Sequence, residues 1–516
     1  MTAPTTLPLL ILAPMRIEAR ALRCGAGAAP VRVTGMGPKA AAASAQRLGQ
    51  HAPEGPIAVA GFGGALRPEI RVGEVVVATE VRGPGGVLQL PSAPAIAQAL
   101  RFAGLTVHLG PLVSTDRLVH GKERSRLASS GALAVDMESY WLLADRGAVP
   151  GAVPGDLRTG VVRVILDSPR KSTARLSASV SLPKAYRSLV VVGSALGTWA
   201  AAFGPRKVLV ASPRSFCTGV NRAIESTEEA LERFGPPVYV LHEIVHNKHV
   251  VDSFRERGVV FVPDISDVPE GETVIFSAHG VGQAERNQAE NRRLRVVDAT
   301  CPLVARVHAK AKFHARRGRH IVLIGKKGHD EVEGVMGEVP EHIHLVEEPA
   351  DIEGLHLDGG RDIAVLTQTT LIPHEVEDLI RALKDRFPEV VVSTALDVCY
   401  ASQNRQEAVR RMSPQCDLVL VLGSRNSSNS KRLVEEASRL GTPARLVDDE
   451  SEVDLAWLAS VRTLGLTAGA SAPESLLERT IDFLGTLGPV ELQEQLSDLE
   501  DDGLLSKRRS RLWASP

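Results

Sequence analysis

Seven strand-turn-helix segments follow one another through the second half of the chain, among them "KVLVASPRSFCTGVNRAIESTEEAL", "TVIFSAHGVGQAERNQA", "HIVLIGKKGHDEVEGV" and "LVLVLGSRNSSNSKRLVEEA". A short β-branched run, a polar break and then a helical period imply parallel α/β sheets, whose ligands collect beyond the carboxyl ends of the strands. Each break is therefore a candidate site loop. In "FSAHGV" the strand gives way to small residues around His279, and the other breaks supply His329, Thr369, Thr370, Ser427, Asn429 and Ser471. Small or polar groups beside helix N-termini, where N–H donors stand unpaired, suit a phosphate. Any one of them is as well explained as a helix cap. Their recurrence over several loops points to a site.

The cysteines narrow the chemistry. There are five (24, 217, 301, 399 and 416), an odd number and far apart, so a disulfide framework is not expected. The opening "LPLLILAPM" is too short, and lacks the flanks, for a signal peptide or a membrane span, so we read it as a first strand and the protein as cytoplasmic. Cys217, Cys301 and Cys399 each stand just before a helix, 84 and then 98 residues apart. A helix N-terminus lowers a thiol's pKa toward the metal-binding thiolate. Three converging thiolates hold either zinc with a fourth ligand or an iron–sulfur cluster with one iron left open. Cys24 and Cys416 lie in no such loop and read as core thiols.

At 516 residues the chain exceeds one ordinary core. "AYRSLVVVGSALGTWAAAF" reads as a terminal helix, "GPRK" breaks it and "VLVASP" opens a new strand, which predicts domains at 1–204 and 206–490. The charged, mixed segment 491–516 predicts a disordered tail. Lys+Arg 60 against Asp+Glu 61 leaves a formal charge of −1, which excludes a general attraction to nucleic acid or anionic lipid. Anion binding must be local.

Nine ordered stretches, including "PRSFCTGVNRAI", "HEIVHNKHVVDSF", "FSAHGV", "DATCPLV", "GKKGHDEVEGVMG", "TQTTL", "DVCYASQNRQEAV", "GSRNSSNSKRL" and "TAGASAPESLL", resemble the motifs of the 4-hydroxy-3-methylbut-2-enyl diphosphate reductase family of the non-mevalonate isoprenoid pathway. The resemblance implies a trefoil of three α/β units around a [4Fe-4S] cluster held by Cys217, Cys301 and Cys399. It implies that the substrate's hydroxyl meets the unligated iron, and that two electrons and protons convert it to isopentenyl and dimethylallyl diphosphates. His246, His279, His329, Ser427, Ser428, Asn429 and Ser471 would surround the diphosphate, Glu331 would deliver the proton and Thr369 would orient the hydroxyl. A glutamate there can act as general acid if burial raises its pKa, whereas in another setting it would read as a first-turn carboxylate. His308, His314, His320, His342, His344 and His356 lie outside the matched stretches and read as surface or packing residues. No second cluster motif or flavin fingerprint is evident, so reduction calls for an external ferredoxin or flavodoxin.

Residues 1–200 carry a second resemblance. "ILAPMRIEARAL", "VRVTGMGPKAAAASAQRL", "AVAGFGGALRPEI", "LAVDMESYWLLAD" and "GVVRVILDSP" are similar, in order and spacing, to the nucleoside phosphorylase and nucleosidase superfamily, and most of all to its hopanoid-associated phosphorylases. The resemblance implies a purine nucleoside substrate, an adenosylated triterpene in that subfamily, and assembly into dimers or larger oligomers. Glu138 beside Met137 would hold the ribose hydroxyls, Asp167 would protonate the leaving purine, and Glu18 would activate water. The serine that nucleosidases carry in the glycine-rich loop is replaced by Gly61 or Phe62, which leaves the choice between water and phosphate open. The main reading is a bifunctional enzyme. A non-redox iron–sulfur lyase, or an iron–sulfur sensor with a catalytically dead first domain, are the alternatives.

Overall fold

The computed structural model describes residues 8–48, 55–144, 157–169, 178–357, 362–392 and 397–495. By contact it divides into two compact units. The first comprises residues up to Lys207 together with Ser451–Arg462 and Thr480–Glu491; the second comprises Val208–Glu450, Thr463–Arg479 and the residues from Leu492. A reading of contiguous domains does not anticipate the two excursions. Within the first unit Gln98 Nε2 donates to the Val453 carbonyl at 2.5 Å, one of the bonds that hold the first excursion there.

The first unit is built on one sheet of eight strands, β1 (Leu10–Ala13), β2 (Val31–Val33), β3 (Ile57–Ala65), β4 (Val75–Gly83), β5 (Gly86–Gln89), β6 (Val107–Ser114), β7 (Ala134–Asp136) and β8 (Thr159–Asp167). The order is β2-β1-β3-β7-β6-β4-β5, with β8 paired to both β3 and β4. Strands β3 and β8 run parallel from Ile57↔Thr159 to Gly64↔Asp167, with a break in register between Gly63 and Gly64. Leu10, Leu12, Val59, Val76, Leu112, Val161 and Ile165 form the core across this sheet. The predicted terminal helix spans Ala178–Ala202.

The second unit contains β9 (Arg206–Ala211) from Val208 on, β10 (Val238–Leu241), β11 (Val259–Val262), β12 (Thr273–Phe276), β13 (Arg295–Asp298), β14 (His320–Ile324), β15 (Ile343–Val346), β16 (Ile363–Thr367), β17 (Val391–Val392), β18 (Leu418–Leu422), β19 (Ala444–Val447), β20 (Thr463–Ala468) and β21 (Val490–Gln495) from Leu492 on. They form three sheets, β11-β10-β12-β13, β15-β14-β16-β17 and β19-β18-β20-β9-β21. The first two are parallel throughout. All three repeat one order, second-first-third-fourth. In the third sheet the fourth place is taken by β9, the strand that opens the series.

Strand β21 occupies residues for which a disordered tail was expected from 491 onward. Its side chains are largely exposed, as a tail's would be, but Arg214 reaches Glu494 at 2.6 Å and ties the segment down. Residues 496–516 of that expected tail lie outside the described residues. Among the described residues no helix is long and apolar enough to cross a membrane.

Candidate functional site

Topology explains the spacing of the cysteines. The chain leaves the fourth strand of each sheet and enters a helix whose N-cap is a cysteine: Cys217 before Thr218–Phe234, Cys301 before Pro302–Ala315 and Cys399 before Tyr400–Met412. Each cysteine amide then donates to the loop after the third strand of the same sheet, Cys217 to Ala470 O at 3.1 Å, Cys301 to Ala278 O at 3.0 Å and Cys399 to Thr369 O at 2.7 Å. Those loops carry Ser471, His279 and Thr370, while the loops after the first strands carry His246, His329 and Ser427. Nine strand ends therefore address one place.

A cavity of about 100 Å³ is lined by all three cysteines together with His246, His279, His329, Glu331, Thr369, Thr370, Ser427, Ser428, Asn429 and Ser471. The structure thus brings together every site residue expected in this half. A second, open groove of about 790 Å³ shares His246, His329 and Ser428 with it and adds Lys326, Lys327 and Lys431.

Glu331 is buried, in the first turn of the helix Asp330–Glu338. Its Oε1 accepts from the Thr369 amide at 2.7 Å and its Oε2 from Thr369 Oγ1 at 3.0 Å. Burial outweighs both bonds and pushes its carboxyl up to about 7. It can therefore hold a proton near neutral pH, which an exposed glutamate cannot.

Two of the site histidines, His279 and His329, are held below the usual histidine range. His329 Nδ1 accepts from the Glu331 amide at 3.2 Å, so the ring proton of neutral His329 resides on Nε2. Burial and the neighbouring His246 lower its pKa to about 4. His279 is held well below the usual histidine range by burial and by His246 and His329, and it stacks on His246 with centroids 4.1 Å apart. Ser427 caps the helix Ser428–Arg439, and Ser471 Oγ donates to the His246 carbonyl at 2.9 Å. Thr370 Oγ1 donates to Ser428 Oγ at 2.9 Å, and Asn429 Oδ1 accepts from the Ala470 amide at 2.8 Å.

Three features escaped the sequence. Asp330 lies 3.3 Å from His242 Nδ1, 3.8 Å from His246 and 3.9 Å from His279. Burial opposes its ionisation, yet the His242 bond and the adjacent imidazoles hold its carboxyl far below the usual range. His308, expected at the surface or in packing, is buried with Nδ1 bonded to Glu338 at 2.8 Å. A Cβ on Gly280 (φ +76°) would stand 2.7 Å from its Nε2, so only glycine allows both the turn after His279 and this ring. The thiols also depart from expectation: burial raises Cys301 and takes Cys399 up to about 12, overriding the helix N-terminal N–H groups. Binding a metal there must displace protons.

In the first unit Glu18 is buried beneath the glycine-rich strand, with Oε2 accepting from the Met15 amide at 2.7 Å and Oε1 from the Phe62 amide at 2.6 Å. Burial pushes its carboxyl to about 7. Glu138 caps the helix Ser139–Leu143; its Oε1 accepts from the Gly37 amide at 2.9 Å and its Oε2 from the Met137 amide at 3.4 Å. Arg163 is fully buried and binds Asp136 at 2.5 Å, with Glu138 at 3.8 Å. A Cβ on Gly61 would lie 2.7 Å from both Arg163 Nη1 and Glu18 Oε1, which explains why the loop has no side chain there. Asp167 is half-exposed and ion-paired with Arg124 at 2.6 Å.

Three thiols at helix N-termini, a buried carboxyl and a ring of imidazoles and hydroxyls, gathered in one cavity at the strand ends, make the second unit an α/β enzyme. The comparisons narrow the class. The family model described as LytB protein matches residues 208–485, more than half of the chain, and the chain belongs to that family. The model described as the Phosphorylase superfamily matches residues 22–144. A 4-hydroxy-3-methylbut-2-enyl diphosphate reductase from Aromatoleum aromaticum is 52% identical over 283 residues, 55% of this chain and 91% of that one. One of the same description from Actinobacillus succinogenes is 50% identical over 299 residues, 57% of this chain and 95% of that one. The solved E-1-hydroxy-2-methyl-but-2-enyl-4-diphosphate reductase of Plasmodium falciparum is 36% identical, covers 57% of this chain and 93% of its own, and superimposes with a TM-score of 0.54.

Enzymes of this family are iron–sulfur oxidoreductases. The residues here fit such a group: three soft sulfur donors share one cavity, and a Cβ on Gly219 would stand 2.6 Å from Cys301 Sγ and 3.9 Å from Cys217 Sγ, so that glycine keeps the space between two thiols clear.

Proposed function

We propose that the second unit removes the hydroxyl of 4-hydroxy-3-methylbut-2-enyl diphosphate reductively, giving isopentenyl and dimethylallyl diphosphates. The observation that carries this reading is the buried Glu331, paired with Thr369 in the cavity that holds the three cysteines. Cys217, Cys301 and Cys399 would hold a [4Fe-4S] cluster, which would supply the electrons and Lewis acidity toward the leaving hydroxyl. His246, His279, His329, Ser427, Ser428, Asn429 and Ser471 hold the diphosphate. Neutral imidazoles and hydroxyls can turn to donate to its oxygens, and His329 does so from Nε2. Glu331, its carboxyl raised to about 7, can hold a proton near neutral pH and gives it up as water leaves, with Thr369 orienting the hydroxyl. A ferredoxin or flavodoxin brings the electrons, in the cytoplasm. The domains divide at 204–206.

The test is anaerobic turnover by the reconstituted chain with a chemical reductant, beside Cys301→Ser and Glu331→Gln. Both products, lost in both variants, are the expected result. A full cluster with no product would refute the reading and favour an iron–sulfur lyase or a sensor.

A second activity is supported by the buried Glu18, Glu138 and Arg163 cluster. There Glu138, with Met137 beside it, holds the ribose of a purine nucleoside, Glu18 acts as base and Asp167 protonates the purine. For Asp167 to do so its pair with Arg124 must open, because Arg124 Nη1 occupies its Oδ2 at 2.6 Å. Adenine release by the whole chain from adenosylated substrates, lost in Asp167→Asn, is the expected result; no release from any purine nucleoside would leave a catalytically dead domain.

A further inference from the structure

Arg405 stands six residues into the helix that Cys399 caps, and it is 0% exposed. Its guanidinium does not point at the cavity. Nε and Nη2 donate to the Ser215 carbonyl at 3.2 and 2.8 Å, and Nη2 also lies 3.4 Å from the carbonyls of Arg214 and Phe216. Nη1 donates to Ala401 O, in the first turn of its own helix, at 2.8 Å. One side chain thus grips three successive peptides that lead directly into Cys217 and fastens them to the helix that begins at Cys399.

The gripped segment needs holding. Ser215 has φ +58°, a left-handed conformation costly for a residue with a Cβ. Its carbonyl is the one Arg405 takes twice. Ser215 Oγ donates to Glu474 at 2.5 Å, and the Cys217 amide donates to Ala470 O at 3.1 Å. These last two bonds attach the loop to the segment that follows the third strand of its own sheet, whereas Arg405 attaches it to the element that carries another cysteine. The next junction around the cavity has a similar brace: Lys310, on the helix that Cys301 caps, donates to the buried Asp397, two residues before Cys399, at 2.6 Å.

We infer that Arg405 is a positioning residue which locks the Cys217 loop to the Cys399 helix, and so sets the separation of two cluster ligands before any cluster is bound. Arginine suits this task and lysine does not, because a planar fork can serve several carbonyls at once, while an ammonium offers a compact point charge. The inference rests on the proposed ligand role of the three cysteines, and it concerns the metal-free chain first.

The experiment uses the full-length chain and its Arg405→Gln and Arg405→Lys variants, metal-free and reduced. Each is alkylated briefly with iodoacetamide, and each cysteine is quantified by peptide mass. Losing bonds between a charged donor and the loop should raise the labelling rate of Cys217 relative to Cys301 by about 10- to 100-fold in Arg405→Gln, with Arg405→Lys in between. Anaerobic reconstitution should then give Arg405→Gln less iron per chain and a shifted midpoint potential. Equal relative labelling of Cys217 in both variants overturns the inference. So does a uniform rise at Cys217, Cys301 and Cys399, which would make Arg405 a support of the whole unit. If Arg405→Gln does not fold, Arg405→Lys carries the same comparison. Failure of the wild-type chain to take up iron would count against the cluster reading, while the labelling ratio would still decide the role of Arg405.

Discussion

Replacing Glu331 with glutamine removes a carboxyl whose pKa the fold raises, and with it a pH dependence of stability. Its pKa moves from 4.5 to about 7 on folding, with burial the largest cause. Below pH 4.5 the group is protonated in both states. Between 4.5 and 7 the folded chain holds a proton that the unfolded chain has released, so stability falls as pH rises; above 7 the loss is complete. At about 1.4 kcal/mol per pH unit, the loss is about 3 kcal/mol. Glutamine has no such proton to lose. It can keep an acceptor for the Thr369 amide, and the Thr369 hydroxyl can turn to accept from its NH2. The variant should therefore match the wild type near pH 4.5 and exceed it by about 2–3 kcal/mol at pH 8. Hydrogen exchange of the β14 and β16 amides in the metal-free chain reads the stability of this unit, and Glu18 contributes equally to both proteins. Parallel pH dependence in the two would refute the reasoning. Turnover should fall by about a hundred- to ten-thousand-fold in the same variant, the usual worth of a positioned acid.

Cys301→Ser should abolish stable iron binding, measured as iron per chain after anaerobic reconstitution, because two remaining thiolates cannot hold the cluster. His329→Ala removes one Nε2 donor and should raise KM about tenfold or more with a smaller effect on kcat, read from steady-state turnover. Gly61→Ala pushes a methyl group between Arg163 Nη1 and Glu18 Oε1, each 2.7 Å from where it would sit, and should destabilise the first unit by about 1–3 kcal/mol in urea unfolding.

The second unit was legible because its chemistry is local to strand ends. The breaks after the first, third and fourth strands of each sheet carry the candidate site residues, so Cys217, His279, His329 and Ser427 stood out in short stretches of sequence. What those stretches cannot encode is a partner from another sheet. Arg405 looks like an ordinary helix arginine until its carbonyls at 214–216 are in place, and His308 looks like packing until Gly280 and Glu338 close around it. For Cys301 and Cys399 the thiol expectation fails for the same reason: a helix N-terminus is visible in sequence, whereas the burial that outweighs it is not. In the first unit the missing side chain at Gly61 left the choice between water and phosphate open. The structure gives it a steric cause, since the space belongs to Glu18 and Arg163.

The strand order has a consequence for assembly. Cys301 and Cys399 follow fourth strands that belong to sheets made from consecutive sequence, and their amides bond to loops nearby in the chain. Cys217 follows β9, which must find the sheet of β18, β19 and β20 at the other end of the unit. The Arg214–Glu474 and Ser215–Glu474 bonds that secure it span 260 and 259 residues. Closing so long a loop costs entropy before any contact repays it, and non-local strand pairing is slow. Cys217 should therefore be the last of the three ligands to become protected during refolding of the metal-free chain. Pulsed alkylation at successive times measures the order directly. Simultaneous protection of the three would mean that the third sheet forms as early as the other two, and that its closure by β9 does not limit assembly of the site.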